Sequence, residues 1–202
     1  MGQNQLYPIF LKMNHFTTLI VGGGYVGEEK LHFILKSSPN AKIHLVAIEI
    51  SEQIISLAKD FPQIKLEYKA FEAQDVIGKS LVIAATADHA VNMEVYHASQ
   101  SHGILINVAD TPELCDFYLG SIVTKGDLKV AISTNGKSPT FAKRFRELLE
   151  ENLPDSIDGI LSKLSQIRNK LAGDFQHKIQ RLDEITDVLK DKEVDIDEEV
   201  RK

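Results

Sequence analysis

Phe16-Thr17-Thr18-Leu19-Ile20-Val21-Gly22-Gly23-Gly24-Tyr25-Val26-Gly27-Glu28-Glu29-Lys30 is the stretch on which the fold turns. Residues 16–21 form a short, partly β-branched apolar run stopped by glycine, the pattern of a buried parallel strand. Beyond the glycines, Leu31, Ile34 and Leu35 return at helical spacing. Gly22-x-Gly24-x-x-Gly27 between a strand and a helix is a dinucleotide-binding fingerprint. Gly22 permits the tight turn, Gly24 lets the backbone approach a pyrophosphate, and Gly27 lets the helix pack on the strand. The helix N-terminus adds unpaired N–H groups and the positive end of a dipole. A glycine turn without a ligand is the competing reading, and the flanking strand and helix weigh against it.

One part of the fingerprint is missing. The second strand ends Leu45-Val46-Ala47, where an Asp or Glu would bond the ribose hydroxyls of NAD. Glu49 stands two residues further on, and no arginine is there to meet a 2′-phosphate. The balance leans to NAD and leaves NADP open.

Working outward, strands are expected at 42–48, 64–68, 80–85 and 104–109, with helices at 51–60 and 91–101 between them. Such alternation implies a parallel, doubly wound, Rossmann-like sheet. The rhythm then changes: 117–123 and 128–134 are strand-like and joined by Lys125-Gly126-Asp127, too short a link for a helix. A basic helix begins at Ser138-Pro139 and runs to about Asn152. Past Pro154, Ile157, Ile160, Leu161, Leu164, Ile167 and Leu171 recur every three or four residues, and the mostly charged residues 191–202 are expected to fray. The expected architecture is α/β: a Rossmann-like domain over 1–112, a small α+β region over 113–153, and a helical C-terminal region over 154–202.

Among 202 residues, 43% hydrophobic and 26% charged describe a folded protein and disfavour disorder, collagen-like repeats and disulfide scaffolds. A formal charge of -6 gives no overall attraction for nucleic acid or an anionic membrane, so an anionic ligand needs a local basic patch. Cys115 is the lone cysteine, which excludes an internal disulfide and the usual Cys-pair metal sites. The seven histidines show no His-Glu-x-x-His spacing, and no Gly-x-Ser-x-Gly elbow occurs. No stable metal site is expected. The first residues read neither as a signal peptide nor as a myristoylation signal, and the apolar runs are too short to span a bilayer. A cytoplasmic protein is expected.

Two polar constellations remain. Asp110 stands at the carboxyl end of the fifth strand, where ligands of such sheets bind, and a carboxylate there is placed to relay a proton. Position alone favours the blander role, a cap or turn ahead of Thr111-Pro112. Ser133-Thr134-Asn135-Gly136-Lys137-Ser138-Pro139, followed by Lys143, Arg144 and Arg146, reads equally as an anion site or as a capped surface helix with solvated charges.

Several separated motifs together resemble one family. They are Tyr7-Pro8-Ile9-Phe10-Leu11, the glycine stretch Val21 through Lys30, Ala84-Ala85-Thr86-Ala87-Asp88 with Asn92, Asn107-Val108-Ala109-Asp110, Phe117-Tyr118, and Ser133 through Pro139. In this order, over about residues 5–153, they resemble the precorrin-2 dehydrogenase and sirohydrochlorin ferrochelatase family, the dehydrogenase-chelatase part of siroheme synthases. The resemblance implies NAD-dependent oxidation of precorrin-2 to sirohydrochlorin and, in many members, insertion of ferrous iron as a further substrate to give siroheme. It places the catalytic aspartate on Asp110, which is also a candidate transient iron ligand. It places cofactor contacts on Gly22, Gly23, Gly24, Tyr25, Val26, Gly27, Ile48, Glu49 and Thr86. Substrate contacts fall on Asn107, Ser133, Thr134, Lys137 and Ser138, whose basic surroundings suit a polycarboxylate tetrapyrrole. Ile48 departs from the proline common at its position in relatives. The resemblance also implies a homodimer formed through the region after the Rossmann-like unit. The chain has no room for the methyltransferase domain fused in some relatives, so that step is expected from another protein. Two other readings stay open: a dehydrogenase without chelatase activity, and a non-enzymatic nucleotide-sensing module.

Overall fold

The computed structural model describes residues 4–171 and 175–187; the charged stretch 191–202 lies outside the described residues. Five parallel strands form the main sheet: β1 (Thr17–Val21), β2 (Lys42–Ala47), β3 (Ile64–Tyr68), β4 (Leu81–Ala84) and β5 (Leu105–Val108), in the order β3-β2-β1-β4-β5. Three helices connect them: α1 (Tyr25–Ser37), α2 (Glu52–Asp60) and α3 (His89–Ser101). A 3-10 turn at Ala73–Val76, absent from the sequence expectation, links β3 to β4.

Strand alternation divides the core into two layers. Ile20, Ile43, Leu45 and Ile83 pack with Leu31, Ile34 and Leu35 of α1 and Ile54 of α2. Leu19, Val21, Val46, Val82, Ala84, Ile106 and Val108 pack with Val95 and Ala98 of α3. Both faces of the central strands are covered, which is why these strands read as continuous apolar runs. One polar residue of β2 is buried, His44, with Nε2 2.8 Å from Glu67 Oε2. Burial holds its pKa below the usual histidine value despite the Glu67 hydrogen bond, with Lys79 and Lys65 acting in the same downward sense.

The chain continues through β6 (Ser121–Lys125) and β7 (Leu128–Ile132), a separate two-stranded sheet, then α4 (Pro139–Asn152), α5 (Ile157–Lys170) and α6 (Phe175–Thr186). The strand expected over 117–123 starts only at Ser121. Residues 115–117 turn back along β5 instead: Asp116 N–H bonds to Ile106 O at 2.8 Å, and Phe117 packs on the core layer beneath α1 and α2. Among the described residues the helical region expected after Pro154 contains two helices, with α5 ending at Lys170.

The described residues fall into two compact units: those up to 122 with Val130–Glu147, and Val123–Lys129 with those from Leu148 onward. In the second unit the turn at Gly126 is tied to α5 and the residues before it. Lys125 Nζ reaches Asp155 Oδ1 at 2.6 Å, and Asp127 N–H donates to Asp158 Oδ1 at 2.9 Å. Among the described residues no helix is long and apolar enough to cross a membrane.

Candidate functional site

Parallel register decides where the strand ends meet. Hydrogen bonds run one residue past the strands: Gly22 N–H to Val46 O (3.0 Å), Ala85 N–H to Val21 O (2.8 Å) and Ala109 N–H to Ala84 O (2.9 Å). Ala47, Gly22, Ala85 and Ala109 therefore form one row across four neighbouring strands. The next residue in each turn is Ile48, Gly23, Thr86 or Asp110, one expected site residue per turn. At a strand spacing of about 4.8 Å, Gly22 and Ala109 stand roughly 10 Å apart. The strand order reverses between β1 and β4, so the row straddles the position where open α/β sheets take their ligands.

The glycines differ in what they do. Gly22 has φ +123°, and a Cβ on it would lie 2.4 Å from Ala85 O. A Cβ on Gly27 would lie 2.1 Å from Gly22 O, so α1 rests directly on the turn it follows. Gly23, outside the three-glycine pattern, is equally constrained: its Cβ would meet Glu49 O at 2.2 Å. Of these four, Gly24 alone faces open space, with nothing within 4 Å of a Cβ. Gly24 is the N-cap of α1 and supplies no side-chain cap; the first α-helical bond is Glu28 N–H to Gly24 O at 2.9 Å. The N–H groups of the first turn consequently lack intrahelical acceptors. Free donors beneath an open backbone suit a pyrophosphate, and the residues fit a dinucleotide cofactor.

Tyr25 is exposed and Val26 packs against the core. Ile48 and Glu49 are both exposed at the end of β2. The loop after them is locked to the glycine turn, because Ser51 N–H donates to Gly23 O at 2.9 Å. Ser51 caps α2 by accepting Ile54 N–H at 3.3 Å and donates its own proton to Glu28 Oε2 at 3.0 Å. Glu28 thus brings a carboxylate to the edge of the turn, a position the sequence reading passed over.

Thr86 is held rather than free. Its N–H and hydroxyl donate to Asn92 Oδ1 at 3.2 and 2.8 Å, and its carbonyl accepts from Asn92 Nδ2 at 3.0 Å. Asn92 is 7% exposed, so these bonds form out of solvent, where each is worth more than at the surface. The wall after β4 is rigid for that reason.

Asp110 has φ +59°, a left-handed conformation uncommon for a residue with a side chain. It is exposed, and among the described residues none donates a hydrogen bond to its carboxylate. Asn107, expected to contact substrate, is 8% exposed, and its Nδ2 donates to Phe117 O at 2.8 Å. Cys115 Sγ lies 3.3 Å from both Val108 N and Val108 O. Burial raises the Cys115 pKa, which keeps the thiol protonated at neutral pH.

The 133–138 loop forms as expected. Ser138 Oγ caps α4 by accepting Phe141 N–H at 3.2 Å, and Thr134 Oγ1 accepts Ser138 N–H at 3.1 Å. Asn135 and Gly136 take φ values of 53° and 74°, and Lys137 is exposed. Among the described residues no hydrogen bond joins this loop to the glycine turn or to Asp110. No group of three His, Cys, Asp or Glu side chains among the described residues is arranged to hold a metal ion.

A family profile described as putative NAD(P)-binding matches residues 9–121, and one described as sirohaem biosynthesis protein central matches 125–152. The siroheme synthase of Methylococcus capsulatus is 42% identical over 158 residues, covering 78% of this chain and 32% of the relative. That of Nitrosomonas europaea is 34% identical over 174 residues, covering 86% of this chain and 36% of the relative. The chain spans about a third of the length of these relatives. A solved structure, SirC, precorrin-2 dehydrogenase, superposes with a TM-score of 0.70 at 26% identity, covering 89% of both chains.

Proposed function

The chain belongs to the precorrin-2 dehydrogenase and sirohydrochlorin ferrochelatase family, the dehydrogenase-chelatase part of siroheme synthases, and from that premise we propose that it oxidises precorrin-2 to sirohydrochlorin with NAD as acceptor. The observation that carries the reading is the row of turns at the strand ends, with an open glycine turn at one end and an exposed left-handed aspartate at the other.

Gly22, Gly23, Gly24 and the first-turn N–H groups of Tyr25, Val26 and Gly27 hold the cofactor's pyrophosphate, with Ile48, Glu49 and Thr86 bounding its crevice. NAD, when bound, supplies the two-electron acceptor. The chain supplies the base: Asp110 takes a proton from the tetrapyrrole as the ring system is oxidised. Ser133, Thr134, Lys137 and Ser138 bind substrate carboxylates through N–H, hydroxyl and ammonium donors. NAD is favoured over NADP because residues 48–53 carry Glu49 and Glu52 but no Lys or Arg, and Glu28 adds a third carboxylate through Ser51. A 2′-phosphate would meet only negative charge there.

Insertion of ferrous iron is a second step of the same proposal. Asp110, exposed and with no hydrogen bond from the described residues, is available to accept the two pyrrole N–H protons one after the other and pass each to solvent as the iron, a substrate, enters. The protein acts as a cytoplasmic homodimer. Support comes from the N-terminal residues Tyr7 and Phe10 and from Phe141 and Phe145 on α4, exposed aromatics that a partner would cover.

The test is anaerobic turnover of precorrin-2 with NAD, following NADH and sirohydrochlorin absorbance before and after ferrous iron is added. NADH formed together with sirohydrochlorin is the expected result. No NADH with either NAD or NADP would overturn the dehydrogenase reading in favour of a nucleotide-sensing module. No iron-dependent change above the uncatalysed rate would leave a dehydrogenase without chelatase activity.

A further inference from the structure

β5 is an edge strand among the described residues, and its outward N–H and C=O groups are closed by the segment 111–116, through side chains and backbone N–H groups, rather than by another strand. Ile106 N–H donates to Asp116 Oδ2 at 3.0 Å, and Ile106 O accepts Asp116 N–H at 2.8 Å. Two residues on, Cys115 takes over. Its sulfur accepts Val108 N–H at 3.3 Å and Asn107 Nδ2 at 3.4 Å, and its S–H is shared between Val108 O at 3.3 Å and Thr111 O at 3.4 Å. Asn107 then binds the far side of the excursion, donating to Phe117 O at 2.8 Å. Enclosed by these bonds is the turn Val108–Thr111, closed by Thr111 N–H to Val108 O at 3.3 Å, with Asp110 inside it at φ +59°. A side-chain-bearing residue persists in that region only where its surroundings over-determine it.

We propose that Asn107 and Cys115 are positioning residues which, by pinning both ends of this turn, hold Asp110 in the left-handed conformation that presents its carboxylate to the substrate. The inference rests on the reading of Asp110 as the proton acceptor. It assigns Asn107 a different job from substrate contact: its amide protons are spent on Phe117 O and the Cys115 sulfur. Cys115 is suited to its role because burial keeps it a thiol, both donor and acceptor, at neutral pH.

The experiment uses the full chain with variants Cys115→Ala, Cys115→Ser and Asn107→Leu, measuring kcat, KM for precorrin-2 and the dissociation constant for NADH. Cys115→Ala is expected to lower kcat about 100-fold, the cost of misplacing a reacting group by roughly 1 Å, with KM and NADH affinity within about threefold. Cys115→Ser keeps the donor and acceptor and is expected to recover most of kcat. A merely structural role would lower the folded fraction and leave the kcat of the folded fraction unchanged; that result overturns the proposal. Asn107→Leu raising KM at constant kcat would make Asn107 a substrate contact and also overturn it. If Asn107→Leu fails to fold, the two Cys115 variants decide alone: equal kcat for Ala and Ser refutes positioning through these hydrogen bonds. Full turnover in Asp110→Asn would refute the underlying reading. An inactive Asp110→Asn beside a fully active Cys115→Ala would refute this inference only.

Discussion

Replacing Asp110 by glycine is expected to raise stability while removing turnover. The left-handed conformation at φ +59° costs a residue with a Cβ about 1–2 kcal/mol, and glycine removes that cost. Against this stands the larger backbone entropy that glycine loses on folding, about 0.5–1 kcal/mol. At the midpoints of these ranges the variant is about 0.75 kcal/mol more stable, because the exposed carboxylate accepts no hydrogen bond among the described residues whose loss would count against it. For a chain of this size that is a rise in Tm of roughly 1–4 °C, readable by calorimetry. Asp110→Ala keeps the conformational cost and should be less stable than the glycine variant. Both should lose about 100- to 10,000-fold in turnover, the usual contribution of a positioned acid or base, with NADH binding retained. A glycine variant destabilised by about 0.5–2 kcal/mol would mean the carboxylate is a structural cap, as its position alone suggested. Turnover kept above about a tenth of the parent rate would refute proton transfer by this residue.

Gly24→Ala and Gly27→Ala should separate binding from folding. The first adds a methyl in open space and should leave Tm almost unchanged while weakening NADH binding in a fluorescence titration; the second drives a Cβ to 2.1 Å from Gly22 O and should destabilise by about 1–3 kcal/mol or prevent folding. Glu49→Arg should improve kcat/KM for NADP relative to NAD by about tenfold or more, the worth of one charge-assisted hydrogen bond; an unchanged ratio would remove the 48–53 loop from cofactor choice. Acid should weaken the fold through His44. Its folded pKa lies below the ordinary 6.5, so below that pH the unfolded chain binds the proton more readily. The contribution is present above about pH 6.5 and lost as pH falls through the folded value. Urea midpoints should drop between pH 7 and 5, and His44→Gln should flatten that slope; a parallel slope would sink the assignment.

Much of the fold is legible in periodicity because both faces of the main sheet are covered. Apolar runs such as Thr18-Leu19-Ile20-Val21 and Leu81-Val82-Ile83-Ala84 are unbroken for that reason. A capping residue marked one helix start: Ser138 accepts the N–H bond its position promises, while Ser51, counted inside its helix from sequence, proves to be the N-cap of α2. Reading failed where a segment's partner is remote or of another kind. Residues 117–120 are apolar enough for a strand, yet Phe117 serves as a cover for the core layer and Asn107 takes its carbonyl. A polar Asn107 inside an otherwise apolar strand was the available signal, since buried amides find partners.

The glycine spacing, the strand-helix alternation and the acidic 48–53 loop belong to the sequence itself, because each depends on residues within a few positions of one another. What tertiary structure alone decided is which turns share a row. Ile48, Gly23, Thr86 and Asp110 are separated by tens of residues, and parallel register aligns them only once four strands pair. The same holds for the backbone of Asp110: nothing local compels a left-handed aspartate. Its conformation is a property of the folded edge of β5, where the side chains of Asn107, Cys115 and Asp116 satisfy backbone groups that no neighbouring strand reaches.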